Sequence, residues 1–157
     1  MHQDKIPKLL YELIKNSRRS DRDLAKTLGF SQPTITRTRR KLEDEKYVLQ
    51  YTAVPDFTKL GFELVAFTFI QWLPEEKAKA ASPYKWLEDN PRVVFVSEGN
   101  GLDGKNVIIA TVHKNYTDYS EFIAELQKVK AIQATSLFIS ALADIKKHFT
   151  LARLEEV

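Results

Sequence analysis

Cysteine is absent from this 157-residue chain. That excludes disulfides, thiolate nucleophiles and zinc–cysteine sites, and it fits a reducing compartment. Histidine is nearly absent too. His2, His113 and His148 are the only three, no two stand at metal-ligand spacing, and no Gly-x-Ser-x-Gly elbow occurs. No metal site and no cofactor is implied. Long apolar runs are also missing: the opening "MHQDKIPKLLYELIKNSRR" has no apolar core of signal-peptide length, and "LVAFTFIQWL" is too short to span a bilayer. A cytoplasmic protein with no membrane partner is the expectation. Only five glycines and six prolines occur, against 43% hydrophobic and 29% charged residues, which is the composition of a chain that folds around a core.

The net charge of +3 is small but unevenly placed. Residues 1–54 hold 12 Lys/Arg against 7 Asp/Glu, and the remainder holds 12 against 14. A basic first third joined to a slightly acidic remainder suits a chain that meets a polyanion at one end.

In that basic third, Ile6, Leu9, Leu10, Leu13 and Ile14 recur at helical spacing and predict an amphipathic helix from about Lys5 to Asn16. Ser20 is suited to cap a second helix by accepting the Asp23 amide, and Leu24, Ala25 and Leu28 form its buried stripe. Gly29 is placed to end it in the left-handed conformation. Ser31 then caps a third helix, with Pro33 in the first turn and Ile35 and Leu42 facing inward. Two capped helices around a glycine turn are a helix-turn-helix, and the alternating "YVLQYTAV" after them reads as a two-stranded wing. In such motifs the second helix enters the major groove. Gln32, Thr34, Thr36 and Arg37 are thereby placed towards base edges, and the capping Ser31 is counted with them in the DNA-binding set. Arg40 and Lys41, with Arg18, Arg19 and Arg22 near the second helix, are placed towards phosphates of double-stranded DNA. Arg39 lies one turn from Ile35 and Leu42, so it either extends its head to solvent or pairs with a carboxylate such as Glu43. The competing view is a trihelical interaction module with an ordinary solvated cationic face.

The stretch "DLAKTLGFSQPTITRTRRKLEDEKYVLQYTAVPDFTKLGF" resembles the N-terminal half of the Lrp/AsnC (feast/famine) transcription regulators. The matching positions are Leu24, Ala25, Gly29, Ser31, Ile35, Arg37, Leu42, Glu43, Leu60 and Gly61. Two positions depart from the pattern: the family usually carries an aliphatic residue at Arg39 and a glycine at Lys46.

After "PDFTKLGF" (55–62), read as a hinge, "ELVAFTFIQW" is strand-like with bulky residues on both faces, as in a strand buried on both sides. Ser82-Pro83 reads as a helix start, with the helix ending near Asp89. "RVVFVS" and "NVIIATVH" are two strands joined by "EGNGLDGK". "YTDYSEFIAELQKV" is a helix with Tyr119, Phe122, Ile123, Leu126 and Val129 on one face, and "ATSLFISAL" is the fourth strand. The resulting fold class is α+β: a winged helix-turn-helix over 1–54, then a βαββαβ ferredoxin-like domain over 63–157. Two helices cover one face of such a sheet, and an apolar second face predicts association into a homodimer or higher homo-oligomer. The resemblance implies the same, since the second domain of Lrp/AsnC proteins is a ferredoxin-like (RAM-type) unit that dimerises.

The resemblance also places an effector loop at "EGNGLDGKN", where family members bind amino acids. Gly99 and Gly101 would let backbone amides approach a carboxylate, and Asp103 or Asn106 would take the ammonium group. The plainer reading is a hairpin turn, which needs the same residue types. Two other functions remain open at this point. Siroheme decarboxylases share the two-domain architecture, and His113 would serve there, although a half-exposed histidine at a strand end is the simpler account. A sensing or assembly protein whose helix-turn-helix no longer binds DNA is the third reading.

Overall fold

A computed structural model of the chain describes residues 5–73, 84–101, 103–129 and 132–146. The described residues divide into two compact units, with the boundary in the chain between Val54 and Pro55.

The first unit holds three helices: α1 (Lys5–Lys15), α2 (Asp21–Leu28) and α3 (Gln32–Asp44). Leu9, Leu13, Leu24, Ala25, Ile35 and Leu42 form its core, with Ile6, Leu10, Leu28, Phe30 and Val48 packed around them. Each stripe seen in the sequence thus meets the other two. Ser20 caps α2 by accepting the Asp23 amide at 3.2 Å, and Gly29 closes it at φ 70. Ser31 caps α3 on the Thr34 amide at 3.4 Å, one turn ahead of the cationic face.

No wing follows. Among the described residues no strand lies between α3 and Leu64. Instead Lys46 takes the left-handed conformation at φ 62, and the Val48 amide returns to the Leu42 carbonyl at 3.0 Å. An isolated two-stranded ribbon is marginal in water without a further strand or helix against it. Here Tyr47, Leu49 and Tyr51 stand exposed. Alternation marked these residues as able to form strand, and nothing within the unit completes the pairing.

In the second unit the former hinge forms a single 3₁₀ turn, Thr58–Leu60, that Asp56 starts and Gly61 ends at φ 82. Four strands follow: β1 (Leu64–Trp72), β2 (Val93–Gly101), β3 (Lys105–His113) and β4 (Ile132–Ala141). They form an antiparallel sheet in the order β2-β3-β1-β4, the ferredoxin-like arrangement expected from βαββαβ. Helices α4 (Lys85–Asp89) and α5 (Tyr116–Leu126) complete it. The Ser82-Pro83 start lies outside the described residues.

One sheet face is closed. Ile70, Trp72, Val107 and Ile109 pack with Leu87 of α4 and with Phe122 and Leu126 of α5. The opposite face is open, which corrects the reading of β1 as buried on both sides. Phe67 and Phe69 are only partly covered, and Phe95 and Phe138 are mostly exposed. The Phe67 and Phe138 rings, paired across β1 and β4, have centroids 6.3 Å apart. Bulky residues on alternate faces specify two apolar surfaces, and a single chain has helices for one.

Candidate nucleic-acid interface

Inward-facing Ile35 and Leu42 anchor α3 to the core, and this decides which of its residues face outward. Gln32, Arg37, Arg40 and Lys41 are exposed. Among the described residues nothing pairs with the side chains of Gln32, Arg37 or Arg40, whereas Lys41 stands 3.6 Å from Glu45. Such an exposed i,i+4 pair exchanges readily for a phosphate, since pairs of this kind contribute little to stability.

Other predicted contacts are engaged within the protein. The Thr36 hydroxyl donates to Asp21 Oδ2 at 2.6 Å. The Thr34 and Ser31 hydroxyls lie 2.8 Å apart. Arg19 pairs with Glu12 and donates to Thr27, so its guanidinium ties α1 to α2 and does not project to solvent with Arg18 and Arg22. The reason is reach: Arg19 sits between two helices whose facing sides each offer it an acceptor.

Arg39 does pair with a carboxylate, but with Asp21 and not with Glu43. Its Nε donates to Asp21 Oδ1 at 2.8 Å and its Nη2 donates to the Arg19 carbonyl at 3.1 Å. Glu43 instead accepts the Tyr51 hydroxyl at 2.9 Å. Burial works against the Arg39 charge; hydrogen bonds with Tyr51 and Asp21 outweigh it and raise the guanidinium pKa further. The same burial, with the Glu43 carboxylate adjacent, raises the Tyr51 phenol above its ordinary value. Asp21 and Tyr51 were missed in the sequence. Asp21 lies 18 residues from Arg39, so no local spacing signals the pair.

The family match now has its geometry. An AsnC-type helix-turn-helix domain is matched over residues 5–43, the span of α1 to α3. The HTH-type transcriptional regulator FL11 of Pyrococcus horikoshii is 26% identical over 137 residues, 87% of this chain and 87% of that one. The chain carries an AsnC-type helix-turn-helix domain and is similar along most of its length to proteins named as HTH-type transcription regulators. Two solved structures agree in fold across both units. E. coli AsnC matches with a TM-score of 0.79 at 19% identity, covering 97% of this chain and 99% of that one. The L-Met complex of the regulator NMB0573 from Neisseria meningitidis matches with 0.78 at 18% identity, covering 94% and 92%. Within the AsnC-type helix-turn-helix domain, α3 lies where the motif puts its reading helix.

The predicted effector-loop residues belong to the second unit. Gly99 and Gly101 end β2, Asp103 (φ 57) and Gly104 (φ 84) make the turn, and Asn106 is the second residue of β3. The Asn106 side chain accepts the Trp72 amide at 2.8 Å and donates to the Trp72 carbonyl at 2.9 Å. It stands in for a backbone partner just past the last β1–β3 pair, Ile70–Val107, which engages both of its polar atoms within the sheet. Phe69, Gly99, Asn100, Gly101 and Lys105 line a shallow hollow beside it.

His113 is fully buried, not half-exposed. Its Nε2 lies 2.8 Å from Thr111 Oγ1, its Nδ1 lies 3.6 Å from Asp118 Oδ2, and Tyr119 and Phe122 cover the ring. Burial lowers its pKa below 6.5; Asp118 opposes that shift, and Arg92, itself bonded to Asp118 at 2.6 Å, reinforces it. The decarboxylase-like alternative loses the histidine it relied on, since a ring closed off on every side cannot touch a substrate. No metal-holding cluster of His, Asp or Glu occurs among the described residues, and no described helix is long and apolar enough to cross a membrane.

Proposed function

We infer that this regulator reads double-stranded DNA through Gln32 and Arg37 of α3, with Arg40, Lys41, Arg18 and Arg22 on phosphates. The supporting observation is the division of labour on α3: an inner face fixed in the core, and an outer face whose Arg37 and Arg40 have no partner among the described residues. A planar guanidinium free of internal partners can engage guanine O6 and N7, which is the commonest specific contact in the major groove. Thr36 and Arg19, which the structure ties internally, drop out of the contact set. Gel-shift titration across salt tests this reading. About four phosphate contacts correspond to a log–log slope near −3.6, and a flat response would refute it.

The protein acts as a homodimer or larger assembly in the cytoplasm, joined through the open sheet face that carries Phe67, Phe95 and Phe138. Two copies of α3 related by a two-fold axis would meet half-sites about 34 Å apart. An amino acid is the candidate effector. It would set its carboxylate against Lys105 and the Gly99–Gly101 backbone of the hollow beside the β2–β3 turn, with Asp103 of that turn the candidate for its ammonium. The L-Met complex of a protein with the same fold favours that class of ligand. A shift of the second unit's melting temperature with one of the twenty L-amino acids, lost in Lys105→Met, would identify the effector.

A further inference from the structure

Asp21, in the first turn of α2, turns both carboxylate oxygens onto α3. Oδ2 accepts Thr36 Oγ1 at 2.6 Å and Oδ1 accepts Arg39 Nε at 2.8 Å. Thr36 and Arg39 are three residues apart, hence neighbours on one side of the helix. A single planar carboxylate thus holds α3 at two points, which constrains its roll about its own axis as well as its distance from α2. The guanidinium is gripped a second time by the Arg19 carbonyl at 3.1 Å. The side chains of the ion pair are only 19% and 21% exposed, so salt screens it less than a surface pair.

Roll decides what a reading helix can read. Side-chain tips lie roughly 5–6 Å from a helix axis, so a 20° slip carries them about 2 Å. A two-pronged contact to one base edge does not survive such a displacement, whereas a single contact to phosphate does. The clamp has a chemical effect as well. It occupies the Thr36 hydroxyl and neutralises Arg39, a cation that would otherwise be available to any nearby phosphate.

We propose that Asp21 is a positioning residue for DNA recognition: by holding Thr36 and Arg39 it sets the roll of α3 and withholds both side chains from the duplex, leaving base discrimination to Gln32 and Arg37. The proposal rests on α3 being the DNA-contacting helix.

The test compares the full-length wild type with Asp21→Asn and with D21N/R39M. For each, affinity is measured across salt for a duplex selected by the wild type and for an unrelated duplex, alongside the thermal midpoint. Asp21→Asn removes an anion beside the interface and releases Arg39. Its affinity for the unrelated duplex holds or rises, its salt slope steepens by about 0.9 for one added phosphate contact, and its selected-to-unrelated ratio falls about tenfold, the scale of one lost bidentate base contact. D21N/R39M leaves no stranded cation, so its thermal midpoint stays near wild type while its ratio remains several-fold low, because core packing of Ile35 and Leu42 alone fixes the roll less tightly than core and clamp together. A wild-type ratio in both variants overturns the proposal. So does a parallel loss of affinity for both duplexes that tracks a falling midpoint, the mark of a structural role alone. A wild-type protein that ignores both duplexes in dilute salt refutes instead the assignment of α3 as the reading helix.

Discussion

Lys46 holds a left-handed backbone, φ 62, immediately beyond the C-terminal end of α3. An L side chain there crowds the following carbonyl, a cost of about 1–2 kcal/mol that glycine does not bear. Lys46→Gly should therefore raise the stability of the first unit by about 1 kcal/mol, read as a higher midpoint in urea monitored by the helical signal. His113 is the corresponding residue of the second unit. Its pKa in the folded protein is depressed below 6.5 by burial, partly countered by Asp118 and reinforced by Arg92. The unfolded chain consequently takes up a proton first as pH falls. Stability contributed by the neutral ring is complete above the unfolded value of 6.5 and declines below it. Urea midpoints measured from pH 7.5 to 5.5 should fall in wild type and stay flatter in His113→Phe, which keeps the ring contacts to Tyr119 and Phe122.

At the scale of the element, α3 separates two kinds of cation. Replacing Arg37, in the N-terminal half of the exposed face, should relax sequence choice, as the proposed contact to a base edge requires. Replacing Arg40 should weaken binding to every sequence alike and shallow the salt slope by about 0.9. Binding-site selection run beside salt titration on both alanine variants distinguishes the two, and unchanged profiles for both would remove α3 from the interface. Strand β3 carries a different test. Asn106 bridges the Trp72 amide and carbonyl, and Asn106→Ala strands both, at about 1–3 kcal/mol for each buried group left without a partner. Calorimetric melting should show the second unit destabilised with the first unit unaffected.

At the scale of the molecule, the open sheet face is the feature a lone chain leaves unresolved. Phe138 is 60% exposed and lies against Phe67, in a surface that apolar burial would otherwise favour closing. Phe138→Glu places a charge at that face. Light scattering should report monomers for the variant where wild type gives dimers or larger species. The gel-shift affinity should fall by orders of magnitude as two reading helices become one. Wild-type mass and affinity in the variant would move the association surface elsewhere.

Local chemistry was legible wherever it rests on neighbouring residues. Ser20, Gly29, Ser31 and Pro33 marked the helix boundaries, and the spacings of Leu9, Leu13, Leu24, Ile35 and Leu42 marked the inner faces. Caps and periodicity act over a few residues, and the observed elements follow them closely. The βαββαβ order was legible for the same reason. Pairings across long separations were not. Arg39 finds Asp21 and Asn106 finds the backbone of Trp72, across 18 and 34 residues, and Arg19 turns inward because Glu12 and Thr27 converge on it. His113 is buried because α5 folds over the end of β3, which no property of the residue itself announces. The wing failed to form because strand propensity needs a partner edge to become structure. The amino-acid sequence thus determined where elements begin, end and turn their apolar sides. Tertiary structure decided which polar groups are left over for DNA, since only packing brings distant donors and acceptors together.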